Sequence, residues 1–160
     1  MTERALLRHH LAALAVRFQH ALRGAPDDFA TFSVGHGVRT PLELVGHVAA
    51  VLDRGAALLR SGSPASVAPR AGTTMGAAVA DVHAALAELD ALMLDATVAP
   101  DDDATSRLLH GPLVDAATHV GQLVLLRRLA GSPVAPASHL RAEVRAGEVG
   151  PDVPSPPPPA

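Results

Sequence analysis

Asp115-Ala-Ala-Thr-His119-Val-Gly-Gln122 decides how this chain is read, because it sets a carboxylate and an imidazole four residues apart inside an apolar pattern of helical period. Around it Ala116, Leu123, Leu126 and Ala130 continue a spacing of threes and fours through His119, which marks one buried face of an amphipathic helix. On such a helix residues i and i+4 stand one turn apart on the same side, so Asp115 and His119 can reach a single cation. They make half of a metal site. The remaining ligand must come from another element, and His47, in Thr40-Pro-Leu-Glu-Leu-Val-Gly-His47, is the best candidate.

Outward from that segment, three more helices are predicted. From Glu3 to Arg23 the apolar residues Leu7, Leu11, Leu14 and Phe18 fall on one stripe, and Gly24-Ala-Pro26 stops the helix. A loop over residues 24–39 carries Phe29 and Phe32, which are expected to cover one end of the molecule. The second helix starts at Thr40, with Pro41 at its first position and Glu43 where a capping box needs an acid, and runs to about Arg60. Leu44, Val48, Val51 and Leu58 form its inner face. After a loop from Ser61 to Gly72, Thr74 caps a third helix with the stripe Met75, Val79, Val82, Leu86, Leu89, Met93. Asp103 or Thr105 is expected to cap a short turn through His110. Gly111-Pro112 then opens the fourth long helix, and Gly131-Ser-Pro133 ends it.

Four amphipathic helices give an all-α four-helix bundle over residues 1–133. Residues 134–160 read as an extension, weakly structured to Val149, with a disordered proline-rich tail from Pro154 that can form neither helix nor sheet. The chain has 160 residues, enough for one domain with a core. Aromatics are only 2% of it, so that core is built from Ala, Leu and Val.

The absence of Cys excludes disulfides, thiolate ligands and a cysteine nucleophile together, leaving N and O ligands for any metal. A formal net charge of −3 with no basic run argues against nucleic-acid binding. No secretory signal or membrane-spanning run is evident, and a cytoplasmic location is expected.

Two imidazoles and a carboxylate are the ligand set of open, catalytic divalent-metal sites, in which a cation ionises bound water or stabilises a thiolate. Glu43 is assigned to the capping box and left out of the site. Gln122, one turn after His119, is expected to bond a neighbouring helix or to orient a ligand. His10 and His83 lie beside apolar stripes and could approach the centre. His110 is out of phase with His119, and His9, His20, His36 and His139 read as surface or loop residues.

Arg39-Thr-Pro-Leu-Glu-Leu-Val-Gly-His47, then Leu109-His-Gly-Pro-Leu-Val-Asp-Ala-Ala-Thr-His119-Val-Gly-Gln122, then Leu126-Arg-Arg-Leu-Ala-Gly-Ser-Pro133, resembles the DinB-like superfamily, which includes YfiT-like metal-dependent hydrolases and thiol-dependent S-transferases. The likeness covers roughly residues 5 to 150. It extends into Ala142-Glu-Val-Arg-Ala-Gly-Glu-Val-Gly150, which is similar to the C-terminal extension of one subgroup. The resemblance implies a four-helix bundle, often a homodimer, whose metal site has one His on the second helix and a pair four residues apart before Gly-Gln. His47 and His119 match the outer positions, and Asp115 stands where many members have His. It further implies a small-molecule substrate, with transfer of a low-molecular-weight thiol such as bacillithiol or mycothiol, or an isomerisation that uses such a thiol. The ligand set itself suits a divalent metal, Zn or Ni, which activates the thiol or, in a hydrolase, water. A non-enzymatic binding bundle with a structural or vestigial metal site is the alternative.

Overall fold

The computed structural model describes every residue except Met1, residues 64–69, Ala71 and residues 99–100, and among those described there is no strand. The expected loop from Ser61 to Gly72 and the break at Ala99-Pro100 therefore fall largely outside the described residues.

Each helix begins where a short polar side chain satisfies backbone N–H groups that have no helical partner. Thr2 accepts from the Ala5 N–H at 3.2 Å to start α1 (Glu3–Leu22). At α2 (Pro41–Ser61) the capping box is complete: the Glu43 N–H donates to Thr40 Oγ1 at 3.3 Å, and the Thr40 N–H donates to Glu43 Oε2 at 2.7 Å. Thr74 caps α3 (Met75–Leu94) by accepting from the Ala77 N–H at 3.2 Å.

The fourth helix departs from the expected start. Asp101, rather than Asp103 or Thr105, caps α4 (Asp102–Leu108), accepting from the Ala104 N–H at 2.7 Å. Nor does Gly111-Pro112 open a new helix. A π turn (Leu109–Leu113) joins α4 to α5 (Val114–Leu129), and Leu108, Leu109, Leu113 and Val114 all keep right-handed helical dihedrals, so the three pieces form one rod. Pro112 explains the widening. Its ring has no N–H and clashes with the carbonyl four residues back, and an i→i+5 turn makes the room. The rod ends on Gly131 at φ +72°, with the Ser132 N–H donating to the Arg127 carbonyl at 2.9 Å and the Gly131 N–H to the Arg128 carbonyl at 3.1 Å. This double closure is a Schellman cap, which needs a residue free to be left-handed.

The rod and α2 run antiparallel, since Gly55 meets Leu108 and Pro112 while His47 meets Asp115 and His119. A Cβ at Gly55 would stand 2.9 Å from Leu108 Cδ1 and 3.3 Å from Pro112 Cβ, so glycine sets how closely the two helices pack. α1 and α3 are also antiparallel, with Arg8 on Asp90 and Phe18 on His83. α2 and α3 instead run parallel: Arg60 pairs with Glu88 at 2.5 Å, and Arg70 holds both Asp53 and Glu88. In cross-section the helices follow the ring α1, α3, α2, rod.

The core is Leu, Val and Ala with few aromatics: Leu7, Leu11, Leu14 and Phe18 of α1, the α2 face Leu44, Val48, Val51 and Leu58, and Val82, Leu86, Leu89 and Met93 of α3 are all buried. Phe29, on a single 3-10 turn (Asp27–Thr31), is also buried, and Phe32 packs partly against the same core.

Beyond the rod the only regular element among the described residues is one 3-10 turn (His139–Arg141). The remainder is nonetheless packed against the helices. Val149 and Val153 enter the core, Pro156 is buried, and the Ser138 N–H donates to the Pro157 carbonyl at 2.8 Å. Two apolar side chains and carbonyls aimed at side-chain donors fix a segment whose composition predicts only a weakly structured extension and a proline-rich end. No helix among the described residues is long and apolar enough to cross a membrane.

Candidate metal centre

His47 sits two turns into α2, where the capping box fixes the helix start, and Asp115 and His119 project from α5 just after the π turn. The three come together across the α2–α5 contact. One ligand atom from each lies within 4.8 Å of the other two, an arrangement that could hold a metal ion. His119 Nε2 is 3.1 Å from Asp115 Oδ1, His47 Nε2 is 3.8 Å from Asp115 Oδ2, and the two imidazoles meet edge to face at 4.6 Å between centroids. For tetrahedral bonds of about 2.1 Å, ligand atoms stand about 3.4 Å apart. The trio brackets that value, and rotamer-scale adjustment would complete it.

The hydrogen-bond partner of His119 supports the same fit. Its Nδ1–H donates to Gln122 Oε1 at 2.9 Å, which orients the ring and aims Nε2 at Asp115. A lone pair opposed to a carboxylate oxygen at 3.1 Å is repulsive unless a proton or a cation lies between them. Of the two roles its spacing allows, a bond to a neighbouring helix or the orienting of a ligand, Gln122 takes the second: it turns back to its own helix and orients His119. Such outer partners set the basicity and aim of metal-bound histidines.

Access is graded across the trio. The side chain of His119 is 11% exposed, that of His47 24% and that of Asp115 45%, so the centre is anchored inside and opens to solvent past the carboxylate. Burial pushes the His47 imidazole below its ordinary value, helped by Arg39, His119 and Arg54 and opposed by Asp115. His47 is thereby kept neutral, the form that binds metals.

Other candidates are elsewhere. Glu43 is spent on the Thr40 cap, as expected. His83 is buried against Phe18 with its Nδ1 2.7 Å from the Val149 carbonyl, His10 is half-buried on α1, and neither joins the trio. His110, His9 and His36 are exposed. His20 and His139 pair edge to face at 5.4 Å. A cavity of about 490 Å³ lined by Leu22, Phe29, Met75 and Val79 is separate from the centre. No protein-family model, no curated protein and no solved structure matches this chain.

Proposed function

We propose that His47, Asp115 and His119 hold a divalent cation, Zn²⁺ or Ni²⁺, and that the protein is a metal-dependent enzyme of the S-transferase or hydrolase type. The observation that carries this reading is the Gln122–His119–Asp115 arrangement, which aims Nε2 at a shared point that two further ligand atoms also reach. A divalent cation with an open position supplies Lewis acidity, which makes a small thiol or water nucleophilic near neutral pH.

The residues of the chain supply the rest. His119 and Gln122 fix one ligand rigidly, His47 stays neutral through burial, and Asp115 lowers the net charge of the centre while leaving a path to solvent. With no cysteine in the chain, S-transfer needs a thiol cosubstrate. The sequence resemblance to the DinB-like superfamily supports the same class.

Metal analysis of untagged protein after reconstitution tests the centre, and absence of bound metal would refute it. Turnover that depends on added thiol separates S-transfer from hydrolysis. A second reading, a non-enzymatic bundle with a structural or vestigial site, rests on the short Asp115–His119 approach. With a proton on Nε2 that pair closes on itself as an i,i+4 ion pair and needs no cation. Exchangeable water on a bound metal would count against the purely structural version.

A further inference from the structure

Residues 147–155 lie as a strap over the groove between α1 and α3, bent at Gly150 and turned at Pro151–Asp152, and are held by a set of contacts unrelated to the metal centre. Val149 and Val153 are buried in the core at 5% and 4% exposure, while Gly150, Pro151 and Asp152 between them stay at the surface. Alternate carbonyls face side-chain donors of the bundle. Gln19 Nε2 donates to Pro151 at 2.7 Å, Arg23 Nη2 to Val153 at 3.0 Å, and His83 Nδ1 to Val149 at 2.7 Å. Gly147, at φ +94°, passes over the Arg8–Asp90 ion pair, where a Cβ would stand 3.1 Å from Arg8 Nη2.

Of these contacts only the one at His83 can be switched near neutral pH. Its Nδ1–H is committed to Val149, and its Nε2 is buried with no hydrogen-bond partner among the described residues. An unpartnered lone pair costs little there. An unpartnered N–H⁺ would place a cation with an unsatisfied donor in an apolar setting beside Phe18, which is costly. We propose that residues 147–155 are a releasable strap, latched into the α1–α3 groove by neutral His83 and freed when His83 is protonated.

The surrounding charges leave that balance in place. On the strap, Asp152 favours the protonated ring, but it is exposed and water screens it. On α1 and α3, Arg8 and Asp90 neutralise each other two turns away, and Glu88 is taken by Arg60 and Arg70. Arg17 acts on His10 and His139 rather than on His83. Burial outweighs the Val149 bond and Asp152 and holds the docked imidazole below its ordinary value. The docked form therefore binds fewer protons than the released form. Docking is at full strength above the released value of about 6.5 and weakens as pH falls below it, down to the docked value. Release uncovers the two core positions that Val149 and Val153 fill.

Hydrogen exchange of the full chain at pH 7.5 and 5.5, corrected for intrinsic rates, tests the latch. Strap amides should exchange several-fold faster at the lower pH, up to the limit of about tenfold that a single group with a released value of about 6.5 allows, while those of α2 and α5 are unchanged. His83→Gln, which can still donate but cannot titrate, should hold the strap at both pH values, and Val149→Ser should free it at both. The NMR titration midpoint of His83 should coincide with strap opening, a readout that does not depend on either variant folding. Protection that is equal at both pH values, lost together with that of α2 and α5, or uncoupled from the His83 midpoint would overturn the proposal.

Discussion

The Nδ1–H of His119 donates to Gln122 Oε1 at 2.9 Å, three residues along the same helix, and so holds the opposite nitrogen toward Asp115 and His47. A ligand whose outer nitrogen is tied down loses little freedom on binding a cation. Gln122→Leu should leave the bundle intact and lower metal affinity by about 10–100-fold. Competition against a chromophoric chelator measures it, and unchanged affinity would remove Gln122 from the centre.

Metal binding should show as stability. At a free metal concentration 100 times Kd, binding to the folded chain alone adds about 2.7 kcal/mol. For a domain of this size that is a rise in Tm of about 5–10 °C. His47→Ala, Asp115→Ala and His119→Ala should each abolish most of the rise in a calorimetric scan. Retention of the full shift in all three would place the metal elsewhere.

Arg127 is a buried cation with no carboxylate partner among the described residues. Its guanidinium donates to the carbonyls of Ala21, Arg23, Gly24 and Ser132 and to Ser132 Oγ, and it lies 5.5 Å from the centre of the Phe29 ring. Carbonyls at the end of α1 carry the negative pole of that helix, which favours a cation. Arg127→Met would fill the space and strand those acceptors. A loss of about 3 kcal/mol is expected in urea unfolding, since several buried acceptors go unsatisfied at once.

Gly55→Ala tests the α2–rod contact. Alanine gains about 1 kcal/mol in helix propensity over glycine. Here its methyl would meet Leu108 and the rigid ring of Pro112, and overpacking costs about 1–3 kcal/mol. A net destabilisation of about 1 kcal/mol is expected. A stabilised variant would show that the rod yields at its π turn.

Gly147→Ala forces a side chain into a left-handed conformation against Arg8, at an expected cost of about 1–2 kcal/mol. Limited proteolysis should find the loss confined to the strap, with residues 3–129 still protected.

Much of the bundle could be read from the chain because its helices announce themselves locally. The Thr40–Glu43 box and the Thr74 cap are short-range chemistry, and the stripes of α1 to α3 follow one unbroken period. The trio was legible for a related reason: the i,i+4 spacing of Asp115 and His119 is itself a geometric statement. What escaped was either non-local or out of phase. Buried positions on the rod step from Ala104 to Leu108 to Leu113 to Ala116, and the step of five is the trace of the π turn. Set beside Gly111 and Pro112, that step looks like a helix boundary. The strap depends on donors at Gln19, Arg23 and His83, more than 60 residues away in sequence, so nothing within 147–155 signals its docking.

The same five-residue step bears on how the rod tolerates a change of length. A π turn is an α-helix carrying one extra residue, and here it absorbs that residue, so that Leu108 before it and Leu113 after it both stay buried. Losing one residue within the turn would let it close to ordinary α geometry, with the half that begins at Asp101 still facing Gly55 and the half that carries Asp115 and His119 still facing His47. Length can therefore vary by one residue at this point without rotating either half of the rod against α2.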